Sequence, residues 1–425
     1  LMTARKAAGL TQEDLAAALR VERSTVVRWE AGQHAPQSYL WPKLAKVLGI
    51  SRGELGTLLS PPAPGTALAL TATAPSVSAL PDGGDDIVSI ASAAAHESLH
   101  FGHRATESNA SQDLLEHLRW ETSRLAVEYV YMPIPALFRD LVNIRNSIFT
   151  LLDTRQRPQH LHELYFLAGT TCLLLAHASQ NVGNQRAAVA QLRTAWTCAD
   201  MADHDALRAW SRGTAALIDE WSMHQSNAVE SALQGVRFSA SAESHIRLAA
   251  IEARAAARMG NGVRAREALD RLHALQDGAS GRDDVVDLGG LLSFPKAKQH
   301  YYIGSTYGLL GEHERAEQYA RTAISSYETG PPAERSYGDE TLARLDVVNA
   351  RLSFGDVAGA AVAAAPLFAL PEERRIHQLT TAIDRTRSIL EQPQFARSGT
   401  SRELLDGLRQ YQQAPASSLA LRSVE

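Results

Sequence analysis

A chain of 425 residues has room for two or three domains, and 45% hydrophobic with 21% charged residues marks it as folded rather than disordered. Its two cysteines, Cys172 and Cys198, exclude a disulfide framework and a four-cysteine zinc site, and fit a reducing, cytoplasmic compartment. No apolar run approaches the ~18–20 residues of a membrane span, and no basic start with an apolar core marks a signal peptide, so no membrane partner is expected.

The formal charge of −5 is unevenly spread. Residues 1–60 carry eight basic and five acidic side chains, a balance of +3 that leaves −8 for the remainder. A small basic module on a large acidic body suggests a polyanion-binding head. Lysine is rare, five against 37 arginines, which reads as the codon bias of a high-GC genome. An arginine in this chain is therefore a weaker sign of a bidentate contact than elsewhere.

Four helical segments are predicted in residues 1–60. Met2–Ala8 stops at Gly9, and it is short at its N-terminal end, as though the start were truncated. Thr11 is the N-cap of a second helix, with Gln12, Glu13 and Asp14 in its first turn and Leu15, Ala16 and Leu19 on one face. A third helix follows Arg20-Val21-Glu22 and ends at Gly32, with Pro36 in the loop beyond; a fourth, Tyr39–Leu48, ends at Gly49. Two helices about three residues apart, with Ala16 at their crossing, have the layout of a helix-turn-helix. In the third helix Val26 and Trp29 point inward, while Arg23, Ser24, Val27 and Arg28 share the outer face with Thr25 near its start. Guanidinium groups and hydroxyls so placed suit guanine edges or phosphates in a major groove, and Gln12 at a helix N-terminus suits a backbone phosphate.

The run Ala8-Gly-Leu-Thr-Gln-Glu-Asp-Leu-Ala with Leu19, Val26-Val-Arg-Trp-Glu-Ala-Gly32 and Pro36 closely resembles the Cro/phage-repressor-like (XRE) helix-turn-helix family over about residues 2–59. The resemblance implies that Gln12 clamps phosphate and that Arg23, Ser24, Val27 and Arg28 approach base edges. Arg20 stands where the family often has glycine, a position that strains a side chain by ~1 kcal/mol. A small helical bundle with an incidental basic face is the competing reading.

Residues 61–86, from Pro61-Pro-Ala-Pro-Gly to Pro81-Asp-Gly-Gly-Asp-Asp86, have no apolar period and read as a tether of about 25 residues. Residues 87–425 are predicted helical throughout, which makes the fold class all-α. A small residue followed five positions on by Ala, then four and three on by small or aliphatic residues, recurs. It appears as Gly183/Ala188/Leu192/Ala195, Gly260/Ala265/Leu269/Leu272, Gly311/Ala316/Ala320/Ala323 and Gly355/Ala360/Ala364/Leu367, with a weaker copy at Met223/Ala228/Ala232/Gly235. The glycine ends the first helix of a pair, and the alanines let the second pack closely. This resembles degenerate tetratricopeptide repeats, best at Ile303-Gly304, Tyr307, Gly311, Ala316 and Ala323, with an insertion at 278–290. Leu114–Leu152, broken at Met132-Pro-Ile-Pro135, reads as a leading helix pair; Glu372–Gln392 and Ser401–Gln413 read as caps, and the tail after Pro415 as loose. The segments around Leu174-Leu-Ala-His-Ala-Ser179, Trp196 and Trp210-Ser-Arg-Gly213 resemble regulators of high-GC Gram-positive bacteria in which a repressor-like head precedes a tetratricopeptide-like body.

His96-Glu-Ser-Leu-His100 is an H-E-x-x-H pattern, which on a helix puts both imidazoles on one face with Glu97 as a base. His103, Glu116, Glu121 or Glu128 could add a third ligand. His103 misses the metzincin spacing, and no strand pattern exists to hold a substrate, so a zinc-dependent peptidase fused to a DNA-binding head stays the alternative and no metal is assigned. No P-loop or dinucleotide fingerprint occurs. Cys172 and Cys198 read as buried packing residues, and Trp196, Trp210 and Trp221 as core, although the concave face of a helical array leaves a ligand role open. The expectation is therefore a non-enzymatic, sequence-specific transcriptional regulator without a cofactor. Its partners are double-stranded DNA, a peptide, protein or small-molecule effector held by the body, and a second copy in a homodimer.

Overall fold

The computed structural model describes residues 2–8, 10–19, 21, 23–30, 36, 40–48, 98, 110–222, 224–238, 241–276 and 283–413. They fall in two compact units, Leu1–Glu97 and Ser98–Glu425. Every regular element among the described residues is an α- or 3-10 helix. The tether at 61–86, the H-E-x-x-H pattern, Arg20 and the tail after Pro415 lie outside the described residues.

The first unit holds α1 (Met2–Ala7), α2 (Gln12–Leu19), α3 (Arg23–Glu30) and α4 (Trp41–Leu48), each within two residues of the predicted start and end. Thr11 caps α2 in the predicted way: its hydroxyl accepts from the Asp14 amide at 3.1 Å, and its own amide donates to the Asp14 carboxylate at 2.9 Å. The apolar stripe Leu15, Ala16 and Leu19 is buried against Val26 and Trp29 of α3 and Leu44 and Leu48 of α4. Alternation of buried and solvent positions at helical spacing thus generates this small core.

The second unit opens with α5 (Gln112–Tyr131) and α6 (Ile134–Leu152), broken where predicted, and continues as six helix pairs. These are α7 (Pro158–Asn181) with α8 (Gln185–Met201), α9 (Asp205–Glu220) with α10 (Gln225–Val236), and α11 (Ala242–Arg258) with α12 (Gly262–Gln276). Then come α13 (Lys296–Leu309) with α14 (His313–Thr329), α15 (Tyr337–Ser353) with α16 (Val357–Phe368), and α17 (His377–Leu390) with α18 (Gly399–Gln413). First helices pack on first helices along the series, and each second helix packs on its partner.

The recurring sequence pattern maps onto this geometry. Gly183, Gly260, Gly311 and Gly355 each follow a first helix with φ of +82°, +75°, +79° and +77°, a conformation that strains other residues by ~1 kcal/mol. Ala188, Ala228, Ala265, Ala316 and Ala360 are fully or almost fully buried on the second helices. The insertion before α13 is anchored by Asp283, whose carboxylate accepts from the Ser241 and Ser244 hydroxyls at 2.9 and 2.7 Å.

One boundary differs from expectation. Glu372–Gln392 is not one helix: a 3-10 turn, Glu372–Arg374, precedes an extended Arg375 and Ile376, and α17 begins at His377. The same construction, Pro332–Glu334 and an extended Ser336, precedes α15. The extended step redirects the chain so that a new first helix lies on the previous one.

The array curls until it meets itself. The first helix of the last pair, α17, touches that of the first pair, α7, and the leading pair spans the gap, α5 against the 332–334 turn and α15, α6 against the 372–374 turn. Gln378 on α17 donates from Nε2 to Asn181 Oδ1 on α7 at 2.8 Å, and Asn181 in turn donates to the Tyr129 hydroxyl on α5 at 2.9 Å.

Candidate nucleic-acid interface and an inner chamber

On α3 the structure separates the faces as the sequence implies. Val26 and Trp29 are buried, Arg23 and Val27 are exposed, and Thr25 is half-buried. The side chains of Ser24 and Arg28 lie outside the described residues; their backbone places them in the first and second turns of α3. The Arg23 guanidinium meets Glu13 at 3.0 Å with both groups largely in water, a pairing that a phosphate or a base can displace at little cost.

Gln12 is half-buried at the start of α2, and its Nε2 donates to Glu30 Oε2 at 2.8 Å. Glu30, the last residue of α3, also accepts from Arg5 Nε at 2.6 Å, and Arg5 Nη1 donates to the Leu10 carbonyl at 2.6 Å. The Arg5 hydrogen bond and charge hold the Glu30 carboxyl below the usual carboxylate range. One carboxylate thus ties α1, α2 and α3 together and fixes the side chain expected to meet phosphate. It also occupies Arg5, so one of the eight basic side chains counted toward the head's positive charge serves its interior. Nothing in the local sequence signals this tie, because its members are 18 and 25 residues apart.

The second unit carries a chamber at the centre of its curl, with an empty volume of about 620 Å³, mouth included. α5 and every first helix contribute to its wall. Tyr129, Tyr302 and Tyr337 supply rings, and Trp221, which ends α9, joins them. The core assignment holds for Trp210, which is buried; Trp221 is half-buried against the core and also lines the wall where the chamber meets two smaller hollows of about 370 and 400 Å³.

Charge surrounds this space. Arg254 is fully buried, donates to Glu220 Oε2 at 2.8 Å and to the Tyr301 hydroxyl at 3.0 Å, and stacks on Tyr302. Arg258 reaches the same carboxylate at 3.0 Å. Burial opposes ionisation of Glu220, but the two guanidinium groups outweigh it and hold the carboxyl below its ordinary value. Behind the wall, Arg247 stacks on Trp210, its centre 4.1 Å from the ring, in space that Gly213 leaves open: a Cβ there would strike the guanidinium. Burial lowers Arg247 to about 10. Arg247 donates to the Thr214 hydroxyl at 3.3 Å, and that hydroxyl lies 3.2 Å from His177 Nε2 in the wall. Burial first, and Arg247 next, push His177 well below its ordinary value, so the ring is neutral. In the neighbouring hollow, burial raises the Asp346 carboxyl to about 6 against the opposing pull of Arg385.

Other candidates resolve more simply. Cys172 and Cys198 are buried, free thiols, pushed up to about 12 and about 11 by burial, which suits packing and not nucleophilic chemistry. Glu121 and Glu128 both pair with Arg124, and Glu116 accepts from Gln112. Among the described residues no cluster of His, Cys, Asp and Glu has the form of a metal site, and no helix is long and apolar enough to cross a membrane.

Residues 1–55 match a protein-family model described as Helix-turn-helix. Residues 1–55, with α2 and α3 on their shared core, are a helix-turn-helix of the XRE type, the DNA-binding element of a regulator. No curated protein and no solved structure matches the chain.

Proposed function

We propose that this chain is a sequence-specific transcriptional regulator that acts by binding rather than by catalysis. α3 reads the major groove with Arg23, Ser24, Thr25, Val27 and Arg28, and Gln12, set by Glu30, meets a backbone phosphate. The observation that carries this reading is the helix-turn-helix match over residues 1–55, with an α3 whose inner face is buried and whose outer face bears Arg23. The second unit is a tetratricopeptide-like body that pairs two chains and holds an effector in its chamber. The reading includes pairing because one recognition helix is a small interface, and two half-sites about one helical turn apart would restore affinity. An effector alters operator affinity only by as much as it prefers one body arrangement over another.

Selection of bound genomic fragments with the intact chain tests the proposal. One recurring two-fold sequence, lost with the double substitution Arg23→Ala/Arg28→Ala, is the expected result. Light scattering is expected to give a dimer. A monomer that binds a half-site as well as the full sequence would overturn the pairing, and unselective binding would overturn the DNA-reading role.

A further inference from the structure

We infer that the inner chamber is a binding site for a compact aromatic acid: one planar ring, one carboxylate, and one hydroxyl or amine that can donate a hydrogen bond. This rests on the effector-holding role proposed above and gives it a ligand class. Three independent features of the wall converge on that chemistry.

The first is size and surface. The space lies inside the curl, and the seam from Tyr129 through Asn181 to Gln378 closes the curl that a long peptide would need open. Tyrosine rings and Trp221 surround the space, and such walls favour a flat ring by edge and face contacts.

The second is charge. Arg254 and Lys298 line the chamber with one carboxylate, Asp339, while Glu220, Arg258 and Arg247 stand beside or behind its wall. Glu220 is taken up by Arg254 and Arg258. The Lys298 side chain is 14% exposed, and Asp339, its ion-pair partner among the described residues, is 3.8 Å away, beyond good hydrogen-bond length. Burial lowers the Lys298 ammonium, Arg247 and Arg254 lower it further, and Asp339 compensates in part. An anion placed beside Lys298 gives the buried ammonium a closer partner than Asp339. The N-terminal turns of α15 and α17 also face the chamber, through Ser336 to Asp339 and through Gln378, and their dipoles act in the same direction.

The third is an unfilled acceptor. Gln378, a wall residue only 6% exposed, spends one of its two amide hydrogens on Asn181, and its buried Oε1 has no hydrogen-bond partner. A ligand hydroxyl or amine satisfies it. Because Gln378 is part of the seam, a ligand bonded there tightens the contact between α17 and α7.

The test uses the intact chain with 4-hydroxybenzoate, and with 4-hydroxybenzyl alcohol and tyramine as neutral and cationic counterparts. Calorimetry measures binding, and operator affinity is measured in parallel. Saturable binding of the acid is expected, with the alcohol and the amine at least about tenfold weaker. Lys298→Met is expected to erase the preference for the acid, and Lys298→Arg to keep it. No binding of the acid at millimolar concentration, equal binding of acid and alcohol, or an unchanged preference in Lys298→Met would overturn the assignment, with Lys298→Arg serving as the control for folding. If the acid binds and operator affinity does not move, the site stands and the sensing role falls. If the acid does not bind and the operator is still selected, the site falls and the DNA-reading role stands.

Discussion

The two units use polar side chains in opposite ways. In the head the buried core is apolar, Leu15, Leu19, Val26, Trp29 and Leu44, with the Arg5–Glu30 pair buried beside it, and the charged side chains expected to meet DNA lie outside it. In the body the inward faces carry Arg254, Glu220, Arg247 and His177, all buried, around a chamber. A surface reader needs a rigid support under an exposed face, which four short helices with one core provide. A chamber needs its specific groups inside, where each unsatisfied charge or hydrogen bond costs far more than in water. The difference implies that substitutions at functional positions have unlike consequences: loss of selectivity without loss of stability in the head, and large changes of stability in the body.

The sharpest way to break this contrast is at the buried ion pair. Glu220→Ala leaves Arg254 buried without its carboxylate and is expected to cost about 3–5 kcal/mol in urea denaturation of the body. The double substitution Glu220→Leu/Arg254→Met removes both charges and is expected to recover most of that loss. A cost below about 1 kcal/mol for Glu220→Ala would place the pair among weak surface bridges.

Next in size is a dependence on pH. Asp346 has a folded value of about 6, above its unfolded value near 3.9, so the native state holds the extra proton between the two. Its contribution to stability is therefore fully present below about pH 4 and is lost as pH rises through 6, on the order of 3 kcal/mol in all. Asp346→Asn is expected to flatten this part of the stability profile and to raise stability at neutral pH. An unchanged profile would show that Arg385 keeps the carboxylate ionised.

The same contrast explains what could be read from the sequence. Turn glycines and anchor alanines are legible because a helix pair is a local object: Gly311, Ala316, Ala320 and Ala323 lie within one turn and one helix. The head is legible for the same reason, with cap, core and outer face packed into consecutive residues. The chamber is not. Tyr129, Trp221 and Gln378 are brought together by the curl of the whole array, and an insertion and a drifting repeat length hide the register of their helices. Tyrosine and arginine on a first helix look like ordinary core and surface residues until their neighbours are known. One signal in the sequence does mark the chamber: Pro331-Pro-Ala-Glu-Arg335 and Pro371-Glu-Glu-Arg-Arg375 share their proline and arginine spacing, 40 residues apart, and each precedes a helix start that faces the chamber.

Within the head the expected effects are smaller and fall on recognition. Arg23→Ala and Arg28→Ala are each expected to cost about 1–3 kcal/mol on the selected operator and little on unrelated DNA, with unchanged thermal unfolding. Gln12→Ala is expected to weaken all sequences alike and to leave the slope of log affinity against log salt almost unchanged, because a neutral amide releases no counterion. Glu30→Gln is expected to resemble it, because Gln12 then loses the carboxylate that orients it, and to lower the unfolding midpoint through the loss of the Arg5 pair as well.

The division of labour between an outward-reading head and an inward-binding body is tested most directly by one ratio: the affinity of the intact chain for the selected operator over that for a scrambled duplex, at fixed salt and without added ligand. Arg23→Ala/Arg28→Ala is expected to collapse the ratio toward one while the helical circular dichroism stays that of the parent, and Lys298→Met is expected to leave the ratio unchanged. A preserved ratio in the double arginine variant, or its collapse in Lys298→Met, would contradict the account.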